Sequence, residues 1–214
     1  MRIERIPAWM ADTNAYLASV GTGEAILVDA PPDPDEIGRH IARLDLTVVA
    51  ILLTHGHVDH TGGAGKLAAQ SGAVTYVHPD DDFLTLHPTE QLRALFGMSP
   101  PGSYETPDRL ERLEHGQLLE LAGIPLQVRH TPGHTPGHCC FYHETEGVLF
   151  SGDQLFAGSI GRSDLPGGSF EQLMTSMREQ VMTLGDGVTV LPGHGPETTI
   201  GRERRTNPFR GEWA

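Results

Sequence analysis

The stretch Thr54-His55-Gly56-His57-Val58-Asp59-His60-Thr61-Gly62-Gly63, set directly after the apolar run Val48-Val49-Ala50-Ile51-Leu52-Leu53, constrains this chain more than any other. A buried strand ends there, and it ends in four side chains able to ligate a metal. Gly62-Gly63 then lets the backbone turn into a helix expected at about Ala64 to Gln70. A lone histidine at a strand end is usually a polar loop residue. Four donors packed this densely set competing lone pairs and charges side by side, and a cation reconciles them. Read as an extended segment, His55 and His57 point to one side and share one ion, while Asp59 and His60 diverge from them and serve a second. The spacing predicts two metals.

The same device recurs downstream. Leu118 to Leu121 and Leu126 to Arg129, separated by Ala122-Gly123-Ile124-Pro125, read as a hairpin that runs into Thr131-Pro132-Gly133-His134-Thr135-Pro136-Gly137-His138. Two Pro-Gly turns bracket His134 and fix its imidazole in one orientation, as a metal requires and a solvent-facing histidine does not. Strands at Cys139 to Tyr142 and Val148 to Phe150 end in Ser151-Gly152-Asp153, and a last strand, Val188 to Leu191, ends in Pro192-Gly193-His194-Gly195. His134, Asp153 and His194 therefore join the candidate ligands. His78, alone before Pro79, reads as a packing or hydrogen-bonding residue, and Asp29 first as an acidic turn residue, with a partner behind a ligand as the alternative.

Around these points the chain is an ordinary α and β alternation. Ile3 to Ile6, Asn14 to Val20 and Ala25 to Asp29 form a meander. Asp33 caps a helix with Pro34 at its first position and Ile37, Ile41 and Leu44 on one face. Val74 to Val77 completes a βαβ unit. Asp80 to Pro107, with Thr89 to Phe96 as its one expected helical piece, reads as an insertion that covers a pocket. The glycine-rich Leu155 to Gly168 is expected to line a substrate entrance. Ser169 caps a helix whose inner face carries Phe170, Leu173, Met174, Met177, Val181 and Leu184. Periodicity fades after Glu197. Arg162, Arg202, Arg204 and Arg205 read first as solvated surface arginines, with recognition of a carboxylate as the alternative.

The chain's 214 residues are expected to form a single domain, 1–214, and 28 acidic against 15 basic residues give a net charge of −13, which disfavours nucleic acid and anionic membranes as partners. Met1 to Ser19 lack a basic region followed by an apolar run and no later stretch is long and apolar enough to span a bilayer, so the expected compartment is the cytoplasm. The adjacent Cys139 and Cys140 are expected to stay reduced, with side chains on opposite faces of a strand.

With His55-x-His57-x-Asp59-His60, His134, Asp153 and His194 all at strand ends, the chain resembles the metallo-β-lactamase superfamily over nearly its whole length. The resemblance implies an α+β fold, an αββα sandwich of two mixed β-sheets packed face to face with helices outside. It also implies that His55, His57 and His134 hold one metal, that Asp59, His60 and His194 hold the other, and that Asp153 bridges them. His134-Thr135-Pro136-Gly137-His138, Ser151-Gly152-Asp153, Gly161-Arg162-Ser163-Asp164 and Ile200-Gly201-Arg202-Glu203 are similar to the small glyoxalase II-like hydrolases. The separate C-terminal helical domain that supplies glutathione contacts in glyoxalase II is not expected here.

This resemblance implies hydrolysis of a small-molecule thioester such as S-lactoylglutathione, with two divalent ions, zinc first and iron or manganese also suited to the donors, in a monomer or homodimer. Asp59 is then both ligand and proton acceptor, and His138 either hydrogen-bonds behind the ligands or lies at the surface. Two rival readings stand beside it. A persulfide dioxygenase of the same fold would hold a single iron at His55, His134 and Asp153, and a non-catalytic binding domain would keep only the fold. Hydrolysis of β-lactam antibiotics is disfavoured, because no export signal is present and no cysteine stands in the second ligand set.

Overall fold

The structure is a computed structural model that describes residues 1–213, Leu95 and Phe96 by backbone alone. The first half builds a six-stranded sheet from β1 (Arg2–Ala8), β2 (Thr13–Ser19), β3 (Glu24–Val28), β4 (Thr47–Leu52), β5 (Val74–Val77) and β6 (Leu110–Arg112), in that spatial order. The first three strands are antiparallel, and β3 to β6 run parallel. Parallel pairing needs crossovers, and α1 (Pro34–Arg43), α2 (Val58–Thr61), α3 (Ala64–Ser71), α4 (Asp82–Thr85) and α5 (Pro88–Phe96) lie in them. Asp33 accepts the Glu36 N–H at 3.2 Å, the cap expected from Asp33-Pro34.

The second half builds the other sheet from β7 (Leu118–Leu121), β8 (Ile124–His130), β9 (Cys139–His143), β10 (Val148–Gly152), β13 (Thr189–Pro192) and β14 (Thr198–Thr199), ordered β14-β13-β10-β9-β8-β7. Between β10 and β13 the chain makes the small hairpin of β11 (Leu155–Phe156) and β12 (Ser159–Ile160), then α6 (Phe170–Ser176). After β14 it closes with α7 (Ile200–Thr206).

Apolar side chains form three layers. Tyr16, Ile26, Val28, Leu52, Leu126, Phe141 and Phe150 fill the space between the sheets. Leu27, Ile51 and Leu53, from the other face of the first sheet, pack on Ile37 of α1 and Leu67 of α3. Leu149 and Val190 pack on Leu173, Met174, Met177 and Val181. Strands buried on both faces explain why β3 and β4 read as continuous apolar runs. The result is the αββα sandwich. Cys139 faces the inter-sheet layer and Cys140 the outer one, both buried and unpaired. Among the described residues no helix is long and apolar enough to cross a membrane.

Several expectations need correction. The segment after β4 is not extended throughout: His57 is the N-cap of the one-turn α2, so Asp59 and His60 diverge by helical rotation. Ile124 and Pro125 belong to β8. The hairpin turn is only Ala122-Gly123, both at positive φ (52° and 72°), the geometry that matches strand twist. The 80–107 insertion contains α4 as well as α5, and β6 follows it. Phe170 is 46% exposed: it is the first residue of α6, and the buried face begins at Leu173, continuing through a π turn at Met177–Val181. The tail holds α7, capped by Thr199 on the Arg202 N–H.

Truncating Phe141, fully buried between the sheets, is expected to cost about 3–5 kcal/mol. Phe141→Ala should shift the urea midpoint accordingly, whereas Met10→Ser, at a 65% exposed position, should leave it within about 0.5 kcal/mol.

Candidate metal centre

Four strand ends deliver the seven predicted donors to one place at the edge between the sheets. The loop after β4 brings His55 and His57, α2 brings Asp59 and His60, and the loops after β8, β10 and β13 bring His134, Asp153 and His194. These loops are tied to one another by backbone bonds: Cys139 N to Thr54 O, Gly193 N to Gly152 O, Asn14 N to Gly193 O and Ala30 N to His60 O, all 2.7–2.8 Å. The Asn14 side chain also donates to Pro192 O and Gly195 O at 2.9 Å, and Tyr16 donates to Pro192 O at 2.8 Å. Gly193 has no room for a Cβ, which would collide with the Asp153 carboxylate and the His60 ring.

The donors fall into two groups of three. His55 Nε2, His57 Nδ1 and His134 Nε2 form a triangle with edges of 3.1, 2.9 and 3.2 Å. Asp59 Oδ2, His60 Nε2 and His194 Nε2 form a second, with edges of 3.4, 3.4 and 3.3 Å. Asp153 stands between them, Oδ1 at 3.4 Å from His60 Nε2 and Oδ2 at 3.5 Å from His134 Nε2 and 3.6 Å from His194 Nε2. Nitrogens bound tetrahedrally at about 2.0–2.1 Å sit roughly 3.3 Å apart, so both triangles have the size of a metal's ligand face.

Hydrogen bonds on the far side of the rings fix which nitrogen points inward. His134 Nδ1–H donates to Arg162 O at 2.6 Å. His60 Nδ1–H donates to Asp29 Oδ2 at 2.8 Å. Thr54 gives its hydroxyl proton to Asp29 at 2.8 Å and so accepts from His55 Nδ1 at 3.0 Å. His134 and His55 therefore turn an unprotonated Nε2 inward, and at His60 Nε2 is the nitrogen left to face the centre. His138 Nε2 accepts the Asp153 N–H at 3.1 Å, which puts its own proton on Nδ1, facing Thr131 at 2.8 Å.

The electrostatics agree. Burial, reinforced by neighbouring imidazoles, pushes His57 down to about 3 and keeps it neutral. Burial likewise takes His134 down to about 4, against the opposing bond to Arg162 O. At His60 burial works downward too, but Asp59, Asp153 and Asp29 outweigh it and raise the ring to about 10. Burial would raise the Asp59 carboxyl, yet His60 and His194 hold it far below the usual range. The first triangle is thus three desolvated neutral lone pairs, and the second is ready to exchange a proton for a cation. The buried Asp153 Oδ1 has no hydrogen-bond partner among the described residues, an orphan that a metal ion satisfies. The donor set fits a divalent metal pair.

The centre forms the floor of a cavity of about 300 Å³ whose other walls include Trp9, Ala11, Val58 and Leu165. Of the residues with two readings from sequence, Asp29 and His138 take the one behind the ligands. Both are buried, Asp29 as the acceptor behind His55 and His60 and His138 as the support of Asp153, neither as a turn or surface residue. Arg162 contributes its carbonyl. Its guanidinium, on the cavity rim, is paired with Asp164 at 2.7 and 2.8 Å. His78 packs as expected, its ring stacked on His130 at 4.0 Å. Thr13, which donates to Asp59 Oδ2 at 3.1 Å, went unread because a lone threonine at a strand start carries no pattern.

The family profile described as Metallo-beta-lactamase superfamily matches residues 10–194, a span that reaches from the cavity wall to the last ligand. The chain belongs to the metallo-beta-lactamase superfamily. Within it, the chain is 36% identical to hydroxyacylglutathione hydrolase GloC of Haemophilus influenzae over 209 residues, 98% of each protein. Among solved structures it superposes on the BLEG-1 B3 metallo-beta-lactamase with a TM-score of 0.90 at 36% identity, covering 98% of this chain and 99% of the other. It superposes on TTHA1623, crystallised in a di-iron-bound form, with a TM-score of 0.86 at 38% identity, covering 96% and 99%. Superfamily membership and the convergent histidines and aspartates together imply a pair of divalent ions.

Metal removal should therefore destabilise the fold. A ligand present at a thousand times its dissociation constant adds about 4 kcal/mol, so stripping the protein with a chelator is expected to lower the melting temperature by ~10 °C, restored on adding back two equivalents of metal.

Proposed function

We propose that the protein is a binuclear metallohydrolase that cleaves thioesters of a small thiol, with S-lactoylglutathione as the representative substrate. The observation that carries the reading is Asp153, whose carboxylate stands between two complete donor triads, Oδ2 facing His134 of one and His194 of the other and Oδ1 facing His60. His55, His57 and His134 would hold one ion, Asp59, His60 and His194 the other, and Asp153 would be shared. A zinc pair at these donors, when bound, acidifies water toward neutrality, polarises the thioester carbonyl and stabilises a departing thiolate.

The remaining work belongs to the chain's own groups. Thr13 Oγ1 and the imidazoles on either side hold Asp59 as an ionised acceptor facing the cavity. So held, Asp59 is placed to orient the attacking water and accept its proton, beside its role as a ligand. Trp9, Ala11 and Leu165 offer the acyl group an apolar wall. The likeness to GloC, whose name states this reaction, supports the same substrate class here.

The second triad argues against the mononuclear dioxygenase, for which Asp59, His60 and His194 would have no use. A complete ligand set likewise argues against a non-catalytic domain. The likeness to BLEG-1 gives β-lactam hydrolysis a place in the test.

Purified protein with its metals counted should release free thiol from S-lactoylglutathione equally well in air and under nitrogen, with two ions per chain. Asp59→Ala should lower the rate at least about 10²-fold. Absence of thiol release with turnover of a chromogenic β-lactam would replace the thioesterase by a lactamase. Oxygen uptake with glutathione persulfide at one iron per chain would replace it by the dioxygenase.

A further inference from the structure

The 80–107 insertion begins beneath the metal centre, and its first acidic side chains do unequal things. Asp81 is fully buried, although it lies in an exposed-looking run, Asp80-Asp81-Asp82. Its Oδ2 accepts from Gly56 N at 2.7 Å and Thr135 Oγ1 at 2.6 Å, and its Oδ1 accepts from Gly137 N at 2.6 Å. Gly56 lies between His55 and His57, and Thr135 follows His134. One carboxylate thus joins the two loops, from opposite sheets, that supply all three histidines of the first triangle.

The fit leaves no slack. A Cβ at Gly137 would come within 2.7 Å of Asp81 Cγ, and one at Gly56 within 3.0 Å of Asp81 Cβ and 2.8 Å of Leu84 Cβ. Gln91 of α5 fixes the same loop from beneath, donating to Gly56 O at 2.9 Å and accepting from Val58 N at 3.2 Å. His57 faces the centre through Nδ1, the nitrogen nearer its own backbone, so the position of Gly56 passes almost directly to the donor atom. The second triangle is braced otherwise, by Asp29 on His60, Thr13 on Asp59 and Asn14 on the His194 loop.

We propose that Asp81 is the positioning residue of the three-histidine ion, setting the distance between its two ligand loops and hence its affinity, independently of the second ion. The proposal depends only on the two-ion assignment, and its readout is metal affinity, so it stands or falls apart from the thioesterase reading.

The test compares Asp81→Asn with wild type by titrating zinc against a chromophoric chelator. An asparagine presents one accepting oxygen and an amide that cannot accept, so at least one buried N–H loses its partner. The backbone bond from Cys139 N to Thr54 O remains and keeps the loops joined. One ion should be retained with wild-type affinity, while the other should bind about 10–100-fold more weakly. In a His194→Ala background, where the three-histidine site is left as the complete one, adding Asp81→Asn should weaken the remaining ion by the same factor.

Glu203 is the control. It is as buried as Asp81 and also accepts three bonds, from Thr198 Oγ1, Gly158 N and Asn207 Nδ2, away from the ligand loops. Glu203→Gln should lower stability and leave both affinities unchanged. Thr135→Val, which removes a single bond, should weaken the same ion by less and covers the case in which Asp81→Asn does not fold. Unchanged affinities in Asp81→Asn or Thr135→Val, or parallel weakening of both ions, would overturn the proposal.

Discussion

A single buried carboxylate, Asp29, sets the protonation pattern on which the centre depends. It accepts the Thr54 N–H and hydroxyl and the His60 Nδ1–H, all at 2.8 Å, and through the Thr54 oxygen it fixes the His55 tautomer as well. Without that acceptor either ring is free to turn a proton inward, where it would meet other donors instead of a cation. Placing a hydrogen-bond acceptor behind the imidazoles also strengthens them as ligands. The cost of burying Asp29 is offset because its carboxylate is met by donors rather than left among apolar neighbours.

The fold explains how such convergence is held. Each half of the chain supplies one sheet, and the ligands emerge from the ends of both, so the inter-sheet layer of Tyr16, Phe141 and Phe150 also sets the distance between the two ligand loops. Packing at interior density resists sliding, and because each triangle draws ligands from both sheets, a shift between them would disturb both. Tyr16 links these functions in one residue: its ring packs against Phe150 at 5.6 Å and its hydroxyl holds Pro192 O beside His194. Stability of the core and geometry of the centre are therefore coupled properties.

The donors were legible in the sequence because each carries its own local signal: histidines at a two-residue spacing after an apolar run, Pro-Gly turns around His134, glycine beside Asp153 and His194. The sandwich was legible from strands buried on both faces together with the family likeness. What was not legible were residues whose role arises only from contact at long range. Asp29 offers a place behind a ligand only as its second reading and Asp81 looks like a turn acid, yet they bond to residues 25 to 56 positions away. Helix α2 escaped notice because a single turn has too few residues to show a period, and β6 because three residues pair with β5 across an insertion.

Backbone strain marks the same boundary between local propensity and long-range demand. Asp29 sits at φ +58°, a region where a non-glycine residue costs of order 1–3 kcal/mol. The strand β3 has just ended, and a residue continuing in extended geometry would send its side chain into one of the apolar layers. The left-handed turn instead swings the carboxylate sideways along the sheet edge, where Thr54 and His60 lie. A glycine would relieve the strain and abolish the acceptor, while an asparagine would keep the conformation and place an amide donor among donors. Aspartate is the residue whose local cost is repaid three bonds away, and its conformation is held by the groups it organises.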